Sequence, residues 1–291
     1  MDMTIIKDKN LYYVGGVVRD EFLGTKNFDI DLCYEGNAIE YAEKKGLSII
    51  KINPEFGTVR VLSDGKEIDI ASTREETYPR KGHLPKVYNI GCSLNDDLKR
   101  RDFTINAIAK NTVTGEIYDP FNGLNDIKLK LLKVLHKDSF IDDPTRIVRG
   151  LKFSVRFDFN LDKTTKALQD NYLNNINYDM SYHRLKKELV ETFNLNNAKA
   201  IDEFVNQGVY KLLGPKQTLP KIRGKVIQKA IENTSSTPWL IYMAFFDLSN
   251  LPLTKNEKRI IDWVEKLDEQ NITNNTPKES ILIRKLMEAK C

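Results

Sequence analysis

The residues able to do chemistry gather early in the chain. Leu11-Tyr12-Tyr13-Val14 is a short apolar run of strand formers, Gly15-Gly16 ends it, and residues 17–23 suit a helix with Arg19 and Asp20 near its start. N–H groups at a helix N-terminus point outward with partial positive charge. A strand, a Gly-Gly turn and a helix therefore make a seat for phosphate, with Arg19 as a charged donor beside it. Phe28-Asp29-Ile30-Asp31-Leu32 then reads as a second strand in which Asp29 and Asp31 project from one face. Two such carboxylates repel each other unless a cation lies between them. Magnesium suits that role, because it takes one or two protein carboxylates and completes its shell with substrate phosphates and water. A phosphate seat followed closely by a magnesium seat is what metal-dependent phosphoryl chemistry requires.

Positioning these groups takes a sheet. Residues 37–46 read as a short amphipathic helix and 47–52 as a strand; 54–62 and 66–72 read as a hairpin turned by Ser63-Asp64-Gly65. In its second arm Glu67 and Asp69 share one face while Ile68 and Ile70 take the other, so a sheet that also carries Asp29 and Asp31 can bring one of these acids to the metals. Residues 73–90 hold Pro79, Pro85 and a glycine among charged residues and are read as a loop. Residues 94–109 open with a helix leading into Arg100-Arg101-Asp102-Phe103-Thr104-Ile105-Asn106-Ala107, which taken alone is a surface charge cluster. Pro120 and Gly123 then mark a turn, and Asp119 can cap the segment after it.

Further on, Asp142 or Asp143 caps a basic helix with Pro144 in its first turn. On that helix Asp143 and Arg146 are surface neighbours, and Arg149 and Lys152 continue their row. Arg184 and Glu188 stand at i, i+4 spacing, which predicts a salt bridge within one helix. Beyond about residue 195 helical periodicity dominates, in segments 197–214, 224–234, 237–248 and 255–270, without a repeat or a catalytic spacing.

The pattern Gly15-Gly16-x-x-Arg19-Asp20-x-x-Leu23-Gly24-x(4)-Asp29-x-Asp31 resembles the signature of the class II tRNA nucleotidyltransferases and bacterial poly(A) polymerases, a branch of the polymerase β superfamily. The resemblance runs from residue 11 to about residue 190. It implies an α+β chain: a polymerase β-like nucleotidyltransferase head with a mixed sheet (1–125), an all-helical neck bearing a base-reading helix (126–190), and a helical body (191–291) shorter than the family's. It also implies residue roles. Asp29 and Asp31 hold two magnesium ions, and Asp69, preferred over Glu67, is a third carboxylate that activates the attacking hydroxyl. Gly15, Gly16 and Arg19 seat phosphates. Arg101 and Asp102 hold the sugar and phosphates of the incoming nucleotide, the carboxylate selecting ribose by its 2′-hydroxyl, with Asn106 as structural support. Residues 119–126 frame the head.

Base choice falls to Asp143 and Arg146. A carboxylate accepts from the exocyclic amine that cytosine and adenine share, and an arginine donates to the ring nitrogen and carbonyl beside it; two mismatched contacts at about 1–3 kcal/mol each reject the other bases. Arg149 and Lys152 extend the nucleotide contact. The chain departs from the family at Asp142, where glutamate is usual, at Lys152, where arginine is usual, and near Asp158, where glycine is usual.

The activity implied is addition of CCA to the 3′ end of tRNA from CTP and ATP with release of pyrophosphate. A-only addition ranks second, beside poly(A) tailing. A full-length 73–90 segment disfavours CC-only addition, and paired aspartates argue against a non-catalytic RNA-binding relative. Composition fits this reading: the net charge of +4, from 45 basic and 41 acidic residues, is too mild to mark a nucleic-acid binder by itself. Three cysteines without metal-type spacing exclude a disulfide framework or zinc site. No apolar run approaches the ~20 residues that span a bilayer, and the first residues lack the apolar core of a secretion signal, so a cytoplasmic protein with no membrane partner is expected.

Overall fold

Apolar runs broken by glycine and asparagine dictate a sheet in the first half of the chain, and the 3.6-residue periodicity dictates helices in the second. In the computed structural model, which describes residues 6–25, 30–232, 237–267 and 272–289, these halves form two compact units. One comprises Met1–Ser139 with Asn160–Thr165, the other Phe140–Phe159 with Lys166–Cys291.

In the first unit β1 (Leu11–Val14) turns at Gly15 into α1 (Gly16–Phe22); β2 (Asp31–Tyr34), α2 (Ala38–Lys44), β3 (Ser48–Asn53), β4 (Thr58–Ser63) and β5 (Lys66–Ser72) come after it. Asn37 caps α2, its side chain accepting from the N–H groups of Ile39 and Glu40. The Asp64-Gly65 turn joins β4 to β5 in the expected hairpin. Next come β6 (Arg74–Thr77), β7 (Lys86–Ile90), α3 (Leu94–Lys99), β8 (Ala109–Asn111), β9 (Ile117–Tyr118), α4 (Gly123–Lys128) and β10 (Leu131–Leu132). The loop expected over residues 73–90 is instead a two-stranded antiparallel ribbon of β6 and β7. Pro79 and Pro85 lie between the two strands, where a missing N–H breaks no ladder bond.

Seven strands make one mixed sheet in the order β3-β4-β5-β2-β1-β8-β9. Its single parallel pair is β2 with β5, in the register Asp31↔Asp69, Leu32↔Ile70, Cys33↔Ala71. Phe28 and Asp29, expected in the second strand, lie outside the described residues, and the strand is described from Asp31. On the face that carries Cys33, α3 packs through Leu94 and Leu98 against Val14, Ala107 and Ala109. The first unit takes in Asn160–Thr165, where β10 pairs in parallel with β11 (Asn160–Leu161).

In the second unit the helices are α5 (Ser139–Asp142), α6 (Thr145–Phe157), α7 (Lys163–Asn174), α8 (Tyr182–Phe193), α9 (Ala198–Asn206), α10 (Gly224–Glu232), α11 (Pro238–Met243), α12 (Lys255–Lys266) and α13 (Lys278–Glu288), α5 and α7 beginning in the first unit. Its core is aromatic. Phe193 meets Phe204 edge-on at 5.3 Å between centroids, and Phe204 meets Phe246 the same way at 5.3 Å, locking α8, α9 and the turn after α11 together. Asp158 ends α6 with φ 57°, in the left-handed conformation for which glycine is usual. No helix among the described residues is long and apolar enough to cross a membrane.

Candidate active site

The parallel pairing of β2 with β5 sets Asp31 directly beside Asp69, both on exposed strand positions of one sheet face. Along β5, Ile68 and Ile70 are buried while Glu67 and Asp69 are exposed, as the period-2 reading predicts. The carboxylates open onto a cleft of about 400 Å³ walled by Arg60, Arg74, Arg100 and Arg101. Arg60 faces Asp69 across the hairpin and grips it with both arms of its fork, Nε to Oδ1 at 2.7 Å and Nη2 to Oδ2 at 2.8 Å, while Nη1 reaches Glu67 at 3.2 Å. Neighbouring carboxylate oxygens of this kind are the hard donors a magnesium ion takes, so the residues fit the ion. Asp29, the other proposed ligand, lies outside the described residues, and among those described no group of three His, Cys, Asp or Glu side chains could hold a metal.

Gly15, expected to seat phosphate, forms the turn after β1 with φ 69°, and a Cβ there would lie 3.3 Å from Nη1 of Arg101. Glycine is thus needed twice, for the left-handed backbone and for the room the guanidinium takes. Gly16 opens α1. Arg19, expected to meet phosphate, is only 4% exposed. Its Nε donates to Asp20 Oδ1 at 2.8 Å and its Nη1 to Asn106 Oδ1 at 2.6 Å, so the fork braces the protein's own frame. Asn106 passes the chain of bonds on, donating to Asp102 Oδ1 at 2.9 Å, which also accepts from the Phe103 N–H at 2.8 Å. One oxygen of the buried Asp102 is therefore held by the frame.

The segment 104–106 is itself held from α4. Thr104 donates to Asp126 at 2.6 Å, and Asp119 caps the helix start by accepting from the N–H groups of Gly123 and Leu124. Gly123 packs so closely that a Cβ would stand 2.3 Å from the Thr104 carbonyl oxygen. Two groups that the motif reading passed over shape the site: Arg60 lines the cleft, and the buried Asp97 holds Arg100 and Arg101, which line it. Arg60 was legible from the hairpin register, and Asp97 from its i+3 and i+4 spacing to Arg100 and Arg101. Burial would push the Asp97 carboxyl up, but the guanidiniums of Arg101 and Arg100 outweigh it and hold it below the usual carboxylate range.

In the second unit Asp143 and Arg146 are each 4% exposed. Asp143 Oδ1 accepts from the Thr145 N–H at 3.1 Å and from its hydroxyl at 2.6 Å, starting α6, while Oδ2 pairs with Arg184. Glu188 takes Arg149 at 3.0 Å and Lys152 at 2.8 Å, and Lys152 also reaches Glu191 at 2.6 Å. The i, i+4 pair on α8, expected to bridge within its helix, thus serves to hold α6. Asp142, the alternative cap, ends α5.

Residues 11–133 match the poly(A) polymerase head domain. The A-adding tRNA nucleotidyltransferase of Aquifex aeolicus is 46% identical over 54% of this chain and 20% of its own length. The CCA-adding enzyme of Lactobacillus delbrueckii subsp. bulgaricus is 32% identical over 76% of this chain and 54% of its own. This chain therefore spans between a fifth and about half of those relatives. A solved CCA-adding enzyme in an apo form superposes with a TM-score of 0.78 at 30% identity, over 97% of this chain and 76% of that one. CCA-adding enzymes solved with CTP and with ATP each give a TM-score of 0.75 at 28% identity, over 97% and 96% of this chain and 74% and 75% of theirs. With its glycine turn, its paired acids and the Arg101-Asp102 segment on such a head, the chain belongs to the family of tRNA nucleotidyltransferases and bacterial poly(A) polymerases.

Proposed function

We propose that this chain is a template-independent RNA nucleotidyltransferase that completes CCA at the 3′ end of tRNA, using CTP and ATP and releasing pyrophosphate. The observation that carries this reading is the register Asp31↔Asp69 inside a cleft walled by four arginines. Arg60 offsets the charge of Asp69, and neighbouring acids in a cleft lined by arginines suit a cation together with the polyanion it accompanies. Names of relatives that add A or CCA to tRNA, and similar enzymes solved with CTP and ATP, support the substrate class.

In the reaction the terminal 3′-oxygen of tRNA attacks the α-phosphorus, the bond to the β-phosphate oxygen breaks, and pyrophosphate leaves. Asp29 and Asp31 would hold two magnesium ions, which when bound lower the pKa of the attacking hydroxyl and offset the charge of triphosphate and leaving group. Asp69 accepts the hydroxyl proton. Arg60, displaced from Asp69 as the acid takes up that work, turns to phosphate. Arg101 donates to the triphosphate beside the Gly15-Gly16 turn, Asp102 reads the 2′-hydroxyl, and Arg19 steadies Asp102 through Asn106. Base reading is assigned to Asp143 and Arg146, with Arg149 and Lys152 beside them, and requires Asp143 to exchange Arg184 for the base. Such an activity works on the cytoplasmic tRNA pool.

The test is incubation with tRNA transcripts lacking CCA, ending in CC, and ending in CCA, with each labelled nucleotide in turn. CCA addition requires label from CTP and then ATP on the first, from ATP alone on the second, and none on the third; no label on any transcript overturns the reading. A-only addition is the second reading, favoured by the 46% identity to an A-adding enzyme. It requires label from ATP on the transcript ending in CC and none from CTP on the first. Asp143→Ala and Arg146→Ala proteins that fold yet keep their preference for C and A over U would remove the base-reading assignment.

A further inference from the structure

Asp97 has no exposed surface, and its carboxylate is surrounded by arginine residues. Oδ1 accepts from Arg100 Nη2 at 2.7 Å and Nε at 3.0 Å and from the Arg74 backbone N–H at 3.2 Å; Oδ2 accepts from Arg101 Nη2 at 2.9 Å. The two arginines end up in different states. Arg100 also donates to Glu76 at 3.0 Å and to the Arg74 carbonyl at 3.1 Å, so its fork is spent on the frame. Arg101 is held at Nη2, its Nη1 lies against the Gly15 turn, and its Nε is buried with no hydrogen-bond partner. A buried donor without an acceptor is costly. The Arg101 side chain lines the cleft that Asp31 and Asp69 open onto, so an anionic oxygen of a ligand in that cleft can meet its guanidinium.

We propose that Asp97 is a positioning residue for the nucleotide: it pins one nitrogen of Arg101 so that the remaining donors stay fixed toward a phosphate or ribose oxygen beside Gly15. The inference rests on the nucleotidyltransferase reading above. Arginine carries several rotatable bonds, and a fork held at one end in a buried ion pair has already lost that freedom before the ligand arrives. Geometry gives Asp97 the reach for this. It lies on α3, whose start Ser93 caps with its hydroxyl, and the turn that follows the helix brings Arg100 and Arg101 back onto its carboxylate.

The experiment compares the wild type with Asp97→Asn, Arg101→Ala and the double variant, measuring equilibrium binding of ATP with magnesium and, separately, KM for ATP, KM for tRNA and kcat. Asp97→Asn should weaken ATP binding and raise KM for ATP by about tenfold while KM for tRNA stays put, the signature of a lost ground-state contact. Because Asp97 acts through Arg101, the double variant should be no worse than Arg101→Ala alone. Wild-type ATP affinity in Asp97→Asn, or additive losses in the double variant, overturns the proposal. Should Asp97→Asn not fold, Asp97→Glu keeps the charge and moves the carboxylate by one methylene. Positioning then requires weakened ATP binding at an unchanged unfolding midpoint, and wild-type binding overturns it. A wild-type protein that binds no nucleotide overturns the nucleotidyltransferase reading, and this inference with it.

Discussion

The head cleft and the start of α6 both carry residues that the family resemblance assigns to the nucleotide, yet the two regions hold them differently. In the cleft, Asp31 and Asp69 sit on exposed strand positions, with Arg60 lying over Asp69 from the neighbouring strand. At α6, Asp143 and Arg146 are buried, and Asp143 is spent on a helix start and on Arg184. Exposed acids can be removed at little cost to folding, because water solvates whatever replaces them. A buried acid cannot, since its partner is left charged and unpaired. In one region function can be separated from folding by mutation; in the other the two are bound together.

The largest effect should come from the cleft. Asp31→Asn is expected to lower nucleotidyl transfer by about a thousandfold, the several kcal/mol that a metal's charge is worth in such a site, without moving the thermal midpoint. A midpoint that falls along with activity would mean that the acid is part of the frame and would erase the contrast. The mirror experiment is Arg184→Met, which leaves Asp143 charged in a buried site. It should cost about 3 kcal/mol in a urea titration, whereas Arg60→Met over the exposed Asp69 should leave the titration midpoint in place.

This contrast was only half legible in the sequence. A two-residue turn at Asp64-Gly65 sets the hairpin register, so the pairing of Arg60 with Asp69 could be counted from it, and alternation places Glu67 and Asp69 on one face. Neighbourhood of Asp31 and Asp69 could not be counted, because it depends on a parallel pairing between strands separated by α2, β3 and β4. Nor could the burial of Arg19, whose partner Asn106 is 87 residues away. Arg184 and Glu188 misled in the opposite sense: a local spacing that suits an intrahelical bridge is used to reach Asp143, Arg149 and Lys152 on another segment. The ribbon of β6 and β7 was hidden because the prolines that signalled a loop mark only its tip.

A third test asks whether framing residues belong with the buried class. A Cβ on Gly123 would stand 2.3 Å from the Thr104 oxygen, which backbone cannot avoid by rotating a side chain. Gly123→Ala should destabilise the first unit by about 1–3 kcal/mol and carry Thr104 and Asn106 with it, so that KM for nucleotide rises although the position lies outside the cleft lining. Acid probes the same frame. The Asp97 carboxyl is held below its ordinary value by Arg101 and Arg100 against the opposing effect of burial. A depressed folded-state pKa stabilises above the unfolded value and is lost as pH falls through the folded one. Wild-type stability should therefore fall as pH drops below about 4, with a shallower slope in Asp97→Asn.

The smallest effect is expected at Asp158, where a fold requirement and a surface ion pair oppose each other. The residue holds φ 57° at the end of α6, a conformation that costs most side chains about 1 kcal/mol relative to glycine and aspartate somewhat less. Its carboxylate meets Lys199 on α9 at 2.7 Å, but with 76% and 37% of the two side chains exposed the pair is worth at most about 1 kcal/mol and is screened by salt. Asp158→Gly should then change stability by about half a kcal/mol or less at low salt and raise it by about that much at high salt, where only the backbone gain survives. A loss that persists at high salt would show that the carboxylate is tied into the helical unit as firmly as Asp143.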